Sequence, residues 1–200
     1  MQLFYIPELH GTRIIFEKEE SRHCVRVLRY REGDQVMITD GKGTLFTGIL
    51  VSARPDQCEV ELIRKEDHPV GKAPLHLAVA PPKNQDRFEW LLEKTTEIGV
   101  DEITPLLCER SQRTSLRIPR LEKVIIAAMK QSLRCKLPKL NEPVEFRTFV
   151  RHSCPGQRFI AWCESGLESG LFRLIKPDNA ITVAIGPEGD FTSEEIGMAR

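Results

Sequence analysis

Four short, mostly apolar runs follow Pro74, and stretches of helical pattern lie among them. The runs are residues 75–80 (LHLAVA), 103–107 (ITPLL), 159–163 (FIAWC) and 181–185 (ITVAI). Each has the length and composition of a buried strand. Between the first two, Asn84 can cap a helix that carries Phe88, Leu91, Leu92, Thr95 and Ile98, and Gly99 can end it. Pro119 opens a second helix, whose apolar residues are Leu121, Val124, Ile125, Ala128 and Met129. Strands that alternate with helices restrict this part of the chain to an α/β fold on a parallel sheet.

The first 70 residues follow a different rule. Residues 36–39 read as a strand, Asp40, Gly41, Lys42 and Gly43 as a hairpin turn, and residues 45–52 as the returning strand. Residues 58–63 alternate, with Val60 and Leu62 on one face. Residues 19–30 read as a helix that places Arg22, Arg26 and Arg29 at i, i+4 and i+7, so one face would present three guanidinium groups. Residues 64–72, polar with Pro69 and Gly71, read as the linker. The expected domains are therefore a β-rich one at 1–70 and an α/β one at 73–200. There is no internal repeat and no low-complexity tract.

Composition narrows the chemistry. The chain is 40% hydrophobic and 29% charged, as a globular protein is, and no apolar run is long enough to span a bilayer. Its first residues lack the basic segment, apolar stretch and cleavage site of a secretory signal, so a cytoplasmic location is expected. The six cysteines never form CxxC and the five histidines lack ligand spacing, so reduced thiols and no metal are expected. A formal net charge of zero argues against a bulk nucleic-acid binder. The distribution points the other way, since residues 110–139 hold nine basic side chains against Glu122 alone, a net of +8. Such a block suits a polyanion; the alternative is a solvated helix face with a loop.

In open α/β sheets ligands bind beyond the carboxyl ends of the strands. Two such ends stand out here, residues 162–166 (WCESG) and residues 185–192 (IGPEGDFT). Gly186 and Gly189 would let the backbone turn sharply and approach a flat ligand, and Pro187 would stiffen the turn. Thr192, Ser193, Glu194 and Glu195 then fit a capping box. This is a cradle for a nucleoside or, alternatively, an ordinary strand-to-helix turn. The chain has no G-x-G-x-x-G fingerprint, no phosphate-binding P-loop and no G-x-S-x-G elbow.

Taken together, five segments in order resemble the 16S ribosomal RNA uridine-N3 methyltransferases of the SPOUT, or trefoil-knot, superfamily. They are residues 86–100 (DRFEWLLEKTTEIGV) with Ile103, Thr104, Pro105, Glu109, Arg110 and Ser111; residues 127–134 (AAMKQSLR) leading to Pro138; Val27, Leu28 and Arg29 with Gly33 and Asp34; residues 40–43 (DGKG); and residues 185–189 (IGPEG). The resemblance implies an N-terminal PUA-like β-barrel domain that binds RNA and a SPOUT-type parallel sheet with a deep C-terminal trefoil knot. It also implies a homodimer that acts on 16S rRNA or the small ribosomal subunit. S-adenosylmethionine (SAM) is the implied cofactor, held by Glu164, Ile185, Gly186, Pro187, Glu188 and Gly189. Glu97, Arg110, Gln131 and Arg134 match positions bordering the active site or the RNA path. Arg22, Arg26 and Arg29 would grip the RNA backbone, and Arg110 or Arg134 would stabilise the anion of a deprotonated uridine.

Two departures from the family pattern bear on this. Asp190 stands where a second glycine is usual, although aspartate tolerates positive φ. The family also continues to a segment resembling L-G-x-R-I-L-R-T-E-T-A, whereas this sequence ends at Arg200, so weak or absent SAM binding is expected of residues 1–200 alone. A non-catalytic RNA-binding protein on the same scaffold is the first rival reading, and a small-molecule α/β enzyme is the second.

Overall fold

The computed structural model describes residues 2–68, 73–113, 115–152, 155–163, 170–176 and 178–200. They fall into two units: Met1–Val70 with Ile126–Leu137, and Gly71–Ile125 with Pro138–Arg200.

In the first unit, the hairpin chemistry at residues 40–43 does what its residue types dictate. Asp40 Oδ1 accepts from the backbone N–H of Lys42 at 2.8 Å and of Thr44 at 3.2 Å, and so turns β3 (Gln35–Thr39) into β4 (Thr44–Arg54). With β1 (Leu3–Tyr5), β2 (Arg13–Ile15) and β5 (Gln57–Asp67) they form a five-stranded sheet in the order β1-β3-β4-β5-β2. Alternation sends Cys58 and Val60 into a core with Phe4, Phe16, Ile38 and Leu50, and Leu62 packs against it.

Two expectations for this region fail. Residues 64–67, read as linker, are the end of β5 and pair with residues 44–47 of β4. Their polarity misled because the ladder is a main-chain structure; the side chains merely pair along the strand, Arg64 with Glu66 at 3.0 Å and Lys65 with Asp67 at 3.3 Å. The rest of that reading, residues 69–72, lies outside the described residues. The helix expected over residues 19–30 is instead α1 (Lys18–Arg22) followed by one π turn (His23–Val27), closed by the Leu28 N–H on the His23 carbonyl at 3.0 Å. Arg29 lies beyond it in the left-handed region, at φ 59. The extra residue per turn breaks the i, i+4, i+7 face, so the three arginines are exposed but do not share one helical stripe.

Residues 126–137, expected in the second domain, cluster with the first unit. There Cys135 O accepts from Gly43 N at 2.9 Å and Thr39 Oγ1 at 3.0 Å, Gly41 O accepts from Leu137 N at 2.8 Å, and Lys130 Nζ meets Glu20 at 2.5 Å. The apolar pattern of α3 (Ile118–Gln131) runs across Ile125 without a break, so no boundary signal exists in the sequence.

The second unit is the expected α/β layer. Its sheet runs β10-β11-β6-β7-β8, with all its pairings parallel. The strands are β6 (Leu75–Val79), β7 (Glu102–Leu107), β8 (Lys139–Leu140), β10 (Gln157–Ala161) and β11 (Ile181–Ile185), and β9 (Val144–Glu145) also pairs with β7. Asn84 caps α2 (Gln85–Ile98) by accepting from Asp86 N at 2.8 Å. The sheet also carries α4 (Phe146–Arg151), α5 (Leu171–Leu174) and α6 (Ser193–Ala199). Ala78, Ala80, Leu106, Phe146, Ala184, Phe191 and Ile196 form its core. β10 starts and ends two residues earlier than its apolar run, because pairing of Gln157 with Ile181 and of Ala161 with Ile185 sets the register. Among the described residues no helix is long and apolar enough to cross a membrane.

Candidate functional site

Strand order fixes where a ligand can sit. From β6 the chain moves one way to β7 and β8, and it later fills the other side with β10 and β11. The order therefore reverses between β6 and β11, and the carboxyl end of that pair is where open α/β sheets bind ligands. The two strand ends are joined there by the Ala80 N–H on the Ile185 carbonyl at 2.9 Å.

The turn that leaves β11 is rigid, for reasons the sequence only half disclosed. Asp190 N donates to Pro187 O at 2.8 Å, which closes residues 187–190. Asp190 adopts φ 62, as the usual glycine would, and its carboxylate offsets the strain by accepting from Phe191 N at 2.8 Å and Cys163 N at 3.4 Å. That carboxylate is thus bound to the main chain. Gly186 is also needed for packing. A Cβ there would lie 2.9 Å from the Phe191 ring, which is buried and packs on Phe146 at 4.7 Å between centroids. At Gly189 a Cβ would lie 3.4 Å from Arg110 Cδ.

Beyond the turn, the capping box forms in full: Glu195 N donates to Thr192 Oγ1 at 3.3 Å and Thr192 N to Glu195 Oε2 at 2.9 Å. Glu195 Oε1 also accepts from Glu109 N at 2.9 Å, tying α6 to the end of β7. Burial, reinforced by the nearby Glu195 charge, pushes the Cys108 thiol up to about 12, so it stays protonated and inert at neutral pH.

Three arginines of the 110–139 block bond to acceptors of the chain itself. Arg110 Nη1 donates to Gly189 O at 2.7 Å. Arg113 places Nε at 3.2 Å and Nη2 at 3.0 Å from Lys83 O. Arg120 makes a two-point pair with Glu89 at 2.6 and 3.0 Å, which holds the Glu89 carboxyl below its usual range. Lys130 and Lys139 pair with Glu20 and Glu102, and Arg134 and Lys136 are engaged as well. A large part of the +8 block is therefore spent on structure, which a charge count cannot reveal.

The residues singled out in the sequence divide between the units. Ile185, Gly186, Pro187, Glu188 and Gly189 form the turn, with Arg110 beside it and Arg87 Nη1 at 3.9 Å from the Glu188 carboxylate. Glu97 lies on the last turn of α2 and accepts from Lys94 at 2.8 Å. Gln131 and Arg134 belong to the first unit, as do Arg22, Arg26 and Arg29. Glu164 lies outside the described residues. Sequence reasoning missed Arg113 and Phe191; the first carries a faint signal, its spacing of three from Arg110, and the second none beyond an aromatic after a glycine turn. Among the described residues, no group of three or more His, Cys, Asp or Glu side chains is placed to hold a metal ion.

The RNA methyltransferase domain model matches residues 70–200, and the RNA methyltransferase PUA domain model matches residues 16–63. The chain belongs to the RNA methyltransferase family. One relative is the ribosomal RNA small subunit methyltransferase E of Synechocystis, 30% identical over 180 residues; the match covers 87% of this chain but only 59% of that protein. Among solved structures, a probable rRNA methyltransferase of Porphyromonas gingivalis superposes with a TM-score of 0.89 at 32% identity, covering 100% of this chain and 85% of that one. The ribosomal RNA small subunit methyltransferase E of Neisseria gonorrhoeae, bound to S-adenosyl methionine, superposes with a TM-score of 0.88 at 25% identity, covering 100% and 84%. The family's fold is therefore present in both units.

The site residues fit a molecule such as SAM. Ile185 leaves apolar surface at the carboxyl end of β11, the turn after it is held in place, and Glu188 offers an exposed carboxylate for a hydroxyl or cationic group.

Proposed function

We propose that this chain is a SAM-dependent methyltransferase that modifies N3 of a uridine in 16S rRNA. The observation that carries the reading is the tied turn of residues 185–190 at the strand-order reversal of an RNA methyltransferase fold. The relatives of known name act on small-subunit ribosomal RNA, and one of the matching structures holds the cofactor. Ile185, Gly186, Pro187, Glu188 and Gly189 would hold SAM, as the resemblance also implies for Glu164, and SAM would supply a methyl group on a sulfonium.

The chain's own contribution is positioning. A rigid turn spares the ordering cost of binding and fixes the donor against the acceptor atom, which is worth much of the rate in a methyl transfer. Uridine N3 lies on the Watson–Crick edge, so the base must be unpaired when it enters. As N3 loses its proton, negative charge develops on the ring, and a guanidinium stabilises it. Arg134 is the guanidinium assigned this role, with Gln131 and Glu97 bordering the RNA path. Arg22, Arg26 and Arg29 bind phosphates. The homodimer and the C-terminal knot expected from the resemblance, and the cytoplasmic location expected from the sequence, belong to the same proposal.

The test is direct. The purified chain is incubated with SAM carrying a labelled methyl group and a 16S rRNA transcript or small subunits lacking the modification, and digested nucleosides are resolved by mass spectrometry. The expected product is 3-methyluridine at one position. Label in a different nucleoside sinks the N3 assignment, and SAM binding without any transfer sinks the enzymatic reading.

A further inference from the structure

We infer that Arg110 is a positioning residue for the cofactor turn and not an RNA contact, and that it works as one of a pair with Arg113. The inference rests on the SAM reading of residues 185–189.

The two arginines stand three residues apart on the connection between β7 and α3, and each reaches a different loop. Arg113 clamps Lys83 O, one residue before the Asn84 cap of α2, on the β6 side of the crevice. Arg110 clamps Gly189 O on the β11 side, with its stem beside Gly189, where an added Cβ would lie 3.4 Å from Arg110 Cδ. A single loop thus sets the loops on both flanks of the strand-order reversal. The Asp190 carboxylate extends the ties to Cys163 after β10. Both arginines bind main-chain carbonyls, so the ties hold the path of the backbone whatever side chains the loops carry. Guanidinium suits this work, because its planar fork keeps several donors in fixed directions. A charge-assisted bond fixes the Gly189 carbonyl and with it the peptide planes on which a ligand would rest.

The consequence is a split between two affinities. Removing the Arg110 guanidinium loosens residues 187–190, and SAM must then order them on binding, while RNA loses no contact. Full-length Arg110→Ala, Arg110→Lys, Arg113→Ala and, as a control in the same basic block, Arg117→Ala are compared with the parent. Amide hydrogen exchange reports the loops, calorimetry reports SAM, and titration of a 16S rRNA transcript at several salt concentrations reports RNA. In Arg110→Ala, exchange at residues 188–190 speeds up and the SAM Kd rises about tenfold, as loss of a charge-assisted bond predicts. RNA affinity, its salt slope and the melting temperature stay at parent values. Arg110→Lys recovers part of the SAM affinity, Arg113→Ala speeds exchange at residues 83–86, and Arg117→Ala changes neither loop.

Three results overturn the inference. A fall in the salt slope of roughly 0.7–0.9 with unchanged SAM affinity makes Arg110 a phosphate contact. Unchanged exchange in Arg110→Ala removes the tie itself, whatever SAM does. Faster exchange in the variant of a parent that binds no SAM shows that the tie is real and that the cofactor reading has failed, and the role assigned to Arg110 fails with it.

Discussion

Two sets of arginines, one in each unit, are deployed in opposite ways. In the second, Arg110, Arg113 and Arg120 each donate to an acceptor of the same chain. In the first, Arg22, Arg26 and Arg29 are exposed and, among the described residues, no hydrogen bond or ion pair engages their side chains. In sequence the second set looked like the richer polyanion site, because it sits in the +8 block. What decides is the supply of acceptors. Loop carbonyls at Lys83 and Gly189 and the Glu89 carboxylate lie within reach of one set, while the Glu20 carboxylate near the other is taken by Lys130. Left-handed backbone shows the same contrast. Asp190 has side-chain bonds to offset its φ of 62, whereas Leu133, at φ 56 and 49% exposed, has none to offer.

The comparison can be broken most forcefully at the packing beneath the tied turn. Phe191→Ala should cost about 3–5 kcal/mol, as removal of a buried aromatic does, and Gly186→Val about 1–3 kcal/mol from crowding that same ring. Urea unfolding measures both. A loss below about 0.5 kcal/mol in either, the range of an ordinary surface change, would show that the turn does not lean on Phe191.

The free arginines should behave in the reverse manner. Changing Arg22, Arg26 and Arg29 together to alanine should lower the salt slope of RNA binding by roughly 2–3 and leave stability within about 0.5 kcal/mol. An unchanged slope would make them a solvated surface and erase the contrast between the units. Leu133→Gly sharpens the backbone half of the comparison. It should stabilise the chain by about 1 kcal/mol, since glycine accepts the left-handed region without a Cβ penalty; destabilisation would mean that the leucine side chain makes contacts worth more than the strain.

The smallest effect concerns pH. Burial is the main cause that lowers the His76 pKa, with Lys139 adding to it and Glu102 opposing, while its Nε2 sits 2.7 Å from Thr104 Oγ1. A depressed folded pKa means that the unfolded chain takes up the proton first. Stability is therefore complete above the unfolded value of about 6.5 and declines as pH falls from there toward the lower folded pKa. Urea midpoints at pH 7.5 and 5.5 should differ more in the parent than in His76→Gln, and equal differences would exclude His76 as the cause.

Much of the second unit was legible because its signals are local. Asn84 and Gly99 bracket α2, the capping box at Thr192 and Glu195 forms as spaced, and the runs at residues 75–80, 103–107 and 181–185 are β6, β7 and β11. What escaped depends on partners distant in sequence. The π turn at His23–Val27 keeps Cys24 buried in the core, and no propensity of its residues announces it. Residues 64–67 are strand because β4 lies beside them. The glycines of the turn were noticed correctly, but Gly186 makes room for Phe191 and Gly189 lies against Arg110, a residue 79 positions away. The legible part of the site was its place in the fold; the ties that hold it were not.

The division of α3 between the two units has a consequence for synthesis. A ribosome that has finished residue 70 has made every strand of the first sheet, yet Gly41, Gly43 and Thr39 still lack the partners that Cys135 and Leu137 provide. Those residues are translated only after β6, α2 and β7. At about 5–20 residues per second the wait is roughly 3–13 s. During that interval the nascent sheet must be shielded or remain partly open, and the same helix that completes it also begins in the second unit. The first unit cannot be finished in the order in which the chain is written, so excising residues 1–70 as a module would leave its sheet without the segment that bonds to Thr39, Gly41 and Gly43.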